Sequence, residues 1–210
     1  MPVSYTVEQR RFLGRIEQAL RDHMQRAEPR RYEHSLSVAR TAEDMALRYA
    51  QDPFEARVAG TLHDWDKVLS NDEQLALARR QGVDMGVDLE LVCPLLHGIT
   101  AAGHLREEVP GLSDAVLRAI ALHTLGSTDM RPLDMIVFVA DAIEPLRPSS
   151  EGIDQVRALV RAGAPLAEAY ASCFCSGVEY VIRTRRYLYP KTLDIYNHLV
   201  LTRREAARTH

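Results

Sequence analysis

Four residues that lie far apart in the sequence are of the types that bind a divalent metal ion. His34 lies on an amphipathic segment, and Asp141 ends an apolar run. His63 and Asp64 are adjacent. Two imidazoles and two carboxylates form a mixed nitrogen and oxygen ligand set that suits iron, manganese or zinc. The carboxylates would neutralise the ion and leave positions for water and a phosphate oxygen, so the sequence predicts a metal site here.

Each of these side chains also has an ordinary structural explanation. A lone histidine on a helix is often a hydrogen-bonded core residue, and a His-Asp pair alone is weak evidence for a metal. Asp141 alone could cap a helix end or pair with an arginine. Their joint occurrence inside apolar helices favours the metal, because buried polar and charged groups need partners.

The elements that must position these residues are predicted to be helices. Apolar residues recur at helical period in almost every segment. Thr6 and Ser70 have capping-box spacing, and Gly82 and Pro145 mark helix ends. The run 135–140 is the one strand candidate, and we predict a helix because no partner strands are found. The fold class is therefore all-α, with helices at about 5–26, 31–50, 53–68, 72–81, 93–105, 113–123, 132–144, 150–161, 165–187 and 191–207.

Small residues precede the His-Asp pair. Ala56, Ala59 and Gly60 would let a neighbouring helix approach closely, so His63 and Asp64 are expected to face the core. Adjacent residues on a helix point about 100° apart. The two side chains can therefore reach one ion from different sides.

Length and composition indicate a folded single domain. The chain has 210 residues, of which 46% are hydrophobic and 26% are charged, and this excludes a disordered or fibrous protein. The net charge of −3 provides no bulk positive field, so a nucleic-acid partner is disfavoured.

The three cysteines and the apolar runs bear on location. Cys93, Cys173 and Cys175 form no disulfide framework, and we expect all three to be reduced. The segment 1–9 has no signal-like apolar core, and no apolar run is long enough to span a bilayer. We therefore expect a cytoplasmic protein with no membrane partner.

Five segments around these residues closely resemble the bacterial YqeK family of the HD-domain metal-dependent phosphohydrolases. The segments are Arg31–Ser35, Leu62–Lys67, Leu95–Gly98, His123–Gly126 and Phe138–Arg147. The resemblance runs from about Arg31 to about Leu199, and its specificity lies in the combined spacing. It implies an all-helical HD-type domain of about ten helices over 1–210, with a core at about 31–148 and C-terminal helices at about 150–207 packed on it.

The family's members hydrolyse diadenosine tetraphosphate symmetrically. The resemblance therefore implies the same activity for this chain, with ADP as the product. The resemblance implies iron, with manganese or zinc as alternatives, at His34, His63, Asp64 and Asp141. The predicted catalytic residues are Asp64 and Lys67. Asp64 could also orient or deprotonate a metal-bound water, and Lys67 lies one helical turn beyond His63. The expected substrate contacts, several of them implied by the resemblance alone, are Arg31, His63, Asp64, Asp66, Lys67, His97, His123, Thr124, Arg147 and Tyr189.

Ordinary structural roles stay open for four of these residues. Lys67 could be a solvated surface lysine, and Arg147 could form a surface ion pair with Glu144 or Glu151. His97 and His123 are each near the end of an apolar stretch, where a histidine is more often a satisfied interior residue.

The chain departs from the family pattern at two places. Leu125 replaces the second threonine of a His-Thr-Thr-Gly type segment, and the stretch 184–190 lacks the glycine of a Lys-Gly-x-x-Ile-His-Pro type turn. Tyr187 or Tyr189 in that stretch could stack on a nucleobase. The ordinary alternative for each is a packed tyrosine.

Two other functions are compatible with the sequence. The first is a nucleotidase or other phosphohydrolase that acts on a different nucleotide. The second is a non-catalytic nucleotide sensor. The retention of all four ligand-type residues argues against a sensor. A homodimer is compatible with any of these functions.

Overall fold

The computed structural model describes residues 3–25 and 28–208, and every regular element in this part of the chain is helical. The prediction of an all-α fold is confirmed. Two short 3-10 helices, Trp65–Val68 and Leu89–Leu95, precede the fourth and fifth α-helices. The α-helices of the described residues are α1 (Val7–Met24), α2 (Pro29–Arg48), α3 (Pro53–Leu62), α4 (Asn71–Arg80), α5 (His97–Glu108), α6 (Asp114–Leu122), α7 (Pro132–Ile143), α8 (Glu151–Ala162), α9 (Leu166–Arg183) and α10 (Lys191–Arg208).

Local side-chain chemistry fixes several helix starts. The Thr6 hydroxyl accepts from the Gln9 N–H, and the Gln9 side chain accepts from the Thr6 N–H. Ser70 begins α4 with the same capping box, and Asp52 caps α3 ahead of Pro53. Each cap satisfies N–H groups that the first helical turn leaves without partners.

One predicted helix is divided at the residues that we expected to bind the metal. The segment 53–68 was predicted as a single helix, but α3 ends at Leu62 and a turn follows. The reason is local: the His63 ring lies with Nδ1 2.8 Å from the Gly60 carbonyl. That carbonyl would otherwise accept from the backbone N–H of Asp64.

Three apolar clusters hold the helices together. The first lies between α1, α3, α5 and α6, and the second between α2, α7, α8, α9 and Ile195 of α10. A third packs α4 against the Leu89–Leu95 segment. In the parts of the chain that the structure describes, no helix is long and apolar enough to cross a membrane.

A close contact joins α2 and α3 at Gly60. A Cβ atom at this position would lie 2.8 Å from Ala39 Cα and 3.1 Å from the Val38 carbonyl oxygen. These neighbours are backbone atoms, which cannot rotate away. The expectation that small residues allow a close approach is confirmed at this glycine, and the approach brings His34 of α2 to the end of α3.

Replacing Gly60 with alanine is expected to destabilise the protein by about 1–3 kcal/mol, because the added methyl group forces α2 and α3 apart. Gly14 provides a matched control, since it lies in the exposed face of α1 and a Cβ there meets nothing within 4 Å. The same change at Gly14 should stabilise the fold by about 0.5–1 kcal/mol. Urea denaturation measures both values, and equal effects at the two sites would contradict the close-approach explanation.

Candidate metal centre

Three helices bring the four predicted ligands together. His34 Nε2 on α2 lies 3.0 Å from Asp141 Oδ1 on α7 and 3.9 Å from Asp64 Oδ2. His63, at the end of α3, has its Nε2 atom 3.8 Å from Asp64 Oδ2 and 3.7 Å from Asp141 Oδ1. The four side chains therefore converge on one small volume, although residues 34 and 141 are far apart in sequence.

The tautomers of the two histidines favour a cation between these groups. His34 Nδ1 lies 3.0 Å from the Glu144 carboxylate, and His63 Nδ1 lies 2.8 Å from the Gly60 carbonyl. Both acceptors require a proton on Nδ1, so the neutral form of each ring carries an electron lone pair on Nε2. Both Nε2 atoms are buried without a hydrogen-bond partner in the described structure. Two lone pairs that face two carboxylates suit a divalent metal ion.

Two arginines border the centre. Arg147 donates from Nη2 to Asp141 Oδ1 at 2.7 Å and from Nε to the Asp141 carbonyl at 3.0 Å. Arg31 Nη1 lies 3.4 Å from Asp64 Oδ2. Arg147 therefore forms its ion pair with Asp141. The alternative considered from the sequence was a surface ion pair with Glu144 or Glu151.

The two carboxylates are strongly acidic groups. Burial alone would raise the pKa of Asp64, but His63, His123 and His97 hold it well below its ordinary value. Burial likewise opposes the ionisation of Asp141, and the imidazoles and Arg147 outweigh it and keep the pKa of Asp141 well below its usual range. Both carboxylates are thus ionised at neutral pH, as metal ligands must be.

A second group of polar residues continues the centre on the other side of Asp64. His97 Nε2 lies 3.2 Å and His123 Nε2 lies 3.7 Å from Asp64 Oδ1. The Thr124 hydroxyl lies 3.2 Å from His97 Nε2 and 3.1 Å from His123 Nε2. The structure therefore brings His97, His123 and Thr124, three of the residues predicted to contact substrate, beside the predicted metal ligands.

Lys67 joins this group through His97. The Lys67 ammonium lies 3.1 Å from His97 Nδ1 and 3.3 Å from the Pro94 carbonyl. His97 Nδ1 also lies 3.0 Å from the Pro94 carbonyl, so this nitrogen faces both a donor and an acceptor. Burial lowers the pKa of His97 to about 4, so this imidazole is neutral in the resting protein.

Asp66 and Tyr189 form hydrogen bonds with residues outside this group. Asp66 Oδ1 accepts from His104 Nδ1 at 2.9 Å, and its side chain is buried against α5. The Tyr189 hydroxyl donates to the Met85 carbonyl at 3.0 Å, and its ring packs in the third apolar cluster. The second oxygen of Asp66, Oδ2, is buried without a hydrogen-bond partner in the described structure. Substrate contacts by Asp66 and Tyr189 stay predictions.

Sequence reasoning missed the orienting role of Glu144. Its carboxylate is almost fully buried and holds His34 Nδ1, whereas the sequence suggested only a surface ion pair with Arg147. A usable signal existed, because Glu144 follows Asp141 by three residues, which places both on one face of a helix. Histidine ligands commonly donate their second N–H to such a carboxylate.

Metal affinity is expected to fall as the pH is lowered through the pKa of His34. Burial alone would lower this pKa, but the carboxylates of Asp141 and Glu144 outweigh it and raise the value above 6.5. A metal must displace the proton, so below the raised pKa the dissociation constant should grow about ten-fold per pH unit. Calorimetric titration with Mn²⁺ on either side of pH 6.5 measures this dependence. A constant affinity over that range would contradict the assignment of His34 as a ligand.

Comparisons with known proteins agree with the helical site. A family model described as "HD domain" matches residues 31–146. "Bis(5'-nucleosyl)-tetraphosphatase, symmetrical" from Halalkalibacterium halodurans is 34% identical over 81% of this chain and 89% of its own. The Staphylococcus aureus protein of the same name is 31% identical over 87% of this chain and 93% of its own. A crystal structure of a "predicted HD superfamily hydrolase involved in NAD metabolism" from Clostridium acetobutylicum matches with a TM-score of 0.79, at 31% identity over 90% of this chain and 97% of that chain.

Proposed function

The chain belongs to the HD-domain family, and we propose that it is a metal-dependent hydrolase that cleaves diadenosine tetraphosphate symmetrically into two molecules of ADP. The single observation that carries the proposal is the convergence of His34, His63, Asp64 and Asp141, with two buried imidazole nitrogens left without hydrogen-bond partners. The names and the extent of the similar proteins support the substrate.

The His and Asp cluster fits a divalent metal ion, and we propose iron, with manganese and zinc as alternatives that the same ligands accept. His34, His63, Asp64 and Asp141 would hold it. When bound, the ion supplies Lewis acidity toward a phosphate oxygen and a lower pKa for a coordinated water.

The chain's own cations would bind the phosphates at the mouth of the centre. The side chains of Arg31 and Arg147 are 36% and 41% exposed, while both contact the ligand carboxylates. Their planar guanidinium groups can hold phosphate oxygens with paired hydrogen bonds. They would therefore exchange part of their contact with Asp64 and Asp141 for contact with the substrate.

The inner wall would bind the phosphate under attack. His97, His123 and Thr124 present polar atoms to the space beside Asp64, and Lys67 adds a positive charge behind His97. Donors fixed in a buried site stabilise charge that develops in the transition state. We assign the ammonium of Lys67 and the imidazole of His97 to the negative charge on the transferring phosphoryl group and the departing ADP. The Nδ1 atom of His123 lies 2.7 Å from the Ile120 carbonyl, so the neutral ring would line the space without donating from Nε2.

Asp64 would hold and orient the attacking water more than it would deprotonate it. Its pKa lies well below the ordinary value because His63, His123 and His97 outweigh the effect of burial. A carboxylate that is so weak a base accepts a hydrogen bond from water without taking the proton.

Symmetrical cleavage follows if one ADP half fills the site and water attacks the second phosphate from that adenosine. We place this activity in the cytoplasm.

The proposal is tested by the products formed from a panel of nucleotides. The iron-loaded chain should convert diadenosine tetraphosphate to ADP alone, and in ¹⁸O-labelled water one ADP per turnover should carry the label. ATP and AMP as products would contradict symmetrical cleavage. Faster hydrolysis of mononucleotides would favour the nucleotidase alternative, and tight ADP binding without turnover of any substrate would favour a sensor.

A further inference from the structure

The turn that follows α7 carries groups that the helix itself cannot satisfy. The helix ends at Ile143, and Pro145, two residues later, has no N–H to donate. The Arg147 N–H donates to the Glu144 carbonyl at 3.0 Å, so it does not serve the carbonyl of Ile143. The last carbonyls of α7 therefore need donors from another part of the chain.

Arg157 of α8 supplies these donors. Its Nε atom donates to the Ile143 carbonyl at 3.0 Å, and its Nη2 atom donates to the carbonyls of Glu144 at 2.9 Å and Arg147 at 3.1 Å. Its Nη1 atom donates to Asp154 at 3.2 Å. The side chain is only 19% exposed. One planar guanidinium group thus fixes the backbone on both sides of the turn.

The same turn determines the position of the Glu144 carboxylate. This side chain is 1% exposed, and its Oε2 atom accepts from the backbone N–H of Leu146 at 2.7 Å. Its Oε1 atom lies 3.0 Å from His34 Nδ1 and accepts that proton. A shift of the turn would therefore rotate or release the imidazole of His34, whose Nε2 faces Asp141 and Asp64.

We infer that Arg157 is a positioning residue of the metal centre, which acts through the 143–147 turn and Glu144 on the ring orientation of His34. In the described structure Arg157 forms no hydrogen bond with the four proposed ligands, so its effect on them is indirect. The inference deepens the proposed function, since it rests on the metal that this function requires. It does not depend on which nucleotide is cleaved.

Conservative variants separate positioning from a merely structural cap. Arg157→Lys keeps the charge and the aliphatic stem, but an ammonium cannot reproduce a planar fork that holds three carbonyls. Glu144→Gln keeps the shape, but its single carbonyl oxygen cannot serve both His34 Nδ1–H and the Leu146 N–H. Arg161→Lys, one helical turn further along α8 at an exposed position, is the matched control.

The experiment measures metal affinity by chelator competition on the full chain loaded with Mn²⁺. Glu144→Gln should weaken affinity by about 10- to 100-fold, as is typical for groups that orient a metal ligand. Arg157→Lys should weaken it by about three- to ten-fold, consistent with an effect transmitted through that group. Arg161→Lys should leave the affinity unchanged. The double variant should bind no more weakly than Glu144→Gln alone, because the two residues act through one imidazole.

Three results would overturn the inference. The first is an Arg157→Lys variant that loses thermal stability but keeps wild-type Mn²⁺ affinity, since Arg157 would then be a helix cap only. The second is full additivity of the two substitutions. The third is an equal loss of affinity in the Arg161→Lys control. If Arg157→Lys does not fold, Arg157→Gln and Glu144→Gln provide the same comparison. A wild-type chain that does not hydrolyse diadenosine tetraphosphate, but whose variants show these affinities, would refute the proposed substrate and leave this inference intact.

Discussion

Replacing Asp64 with asparagine is expected to lower kcat/KM about 1,000-fold, which corresponds to roughly 4 kcal/mol of lost transition-state stabilisation. The carboxylate occupies the middle of the centre. Its Oδ2 atom faces His34 and His63, and its Oδ1 atom faces His97 and His123. The substitution removes a ligand charge and places an amide N–H₂ or a weaker acceptor among imidazoles that are arranged around an anion.

Metal content and activity should disappear together in this variant. Elemental analysis of anaerobically purified protein gives the metal stoichiometry, and far-ultraviolet circular dichroism should show the helix content of the wild type. Asp44→Asn, at an exposed position of α2, changes the net charge by the same amount and should retain both metal and activity. Full metal occupancy in the Asp64→Asn protein would show that Asp64 is not a ligand.

The approach of the four proposed ligands could be predicted from sequence in part because His63 and Asp141 interrupt apolar segments. Asp141 follows six apolar residues in α7, and His63 follows the small residues of α3. A polar group in such a place is costly unless it has a partner, and few partners serve two imidazoles and two carboxylates at once. Helical periodicity also gave the helices, because it reports which face each segment buries.

The partners of isolated polar residues could not be predicted in this way. Asp66 pairs with His104, which is 38 residues away, and the Tyr189 hydroxyl bonds a carbonyl 104 residues away. Nothing in the local pattern encodes such contacts, since they depend on how α5 and the third apolar cluster pack. Arg157 was missed for the same reason, because its acceptors are backbone carbonyls and any residue type provides these.

The break after α3 could not be predicted from periodicity either. Residues 53–68 keep an apolar pattern compatible with one helix, yet α3 ends at Leu62, where His63 Nδ1 contacts the Gly60 carbonyl. That contact also sets the tautomer of the ring, so the feature that divides the helix is the one that prepares the ligand. Helical period describes burial, and it does not report competition between a ring nitrogen and the backbone for one carbonyl.

Replacing Lys67 with methionine is expected to lower kcat about 100-fold while KM changes much less, as for the loss of one donor that stabilises transition-state charge. The Lys67 ammonium lies 3.1 Å from His97 Nδ1. Burial lowers its pKa, although the negative charge of Asp64 opposes that shift. Methionine keeps the length and the apolar stem, so the change removes the charge and the donor with little loss of packing.

Steady-state kinetics on diadenosine tetraphosphate, with metal content measured in parallel, test the role of Lys67. Lys67→Arg should recover part of kcat, because a guanidinium restores the positive charge beside His97. Lys191→Met, at the exposed first residue of α10, is the control and should behave as wild type. Because Lys67 is not a proposed ligand, the metal should remain bound when it is replaced. An unchanged kcat in the Lys67→Met enzyme would support the alternative from the sequence, that Lys67 is a solvated surface lysine. A loss of metal would show that Lys67 supports the ligands and does not act on the phosphate.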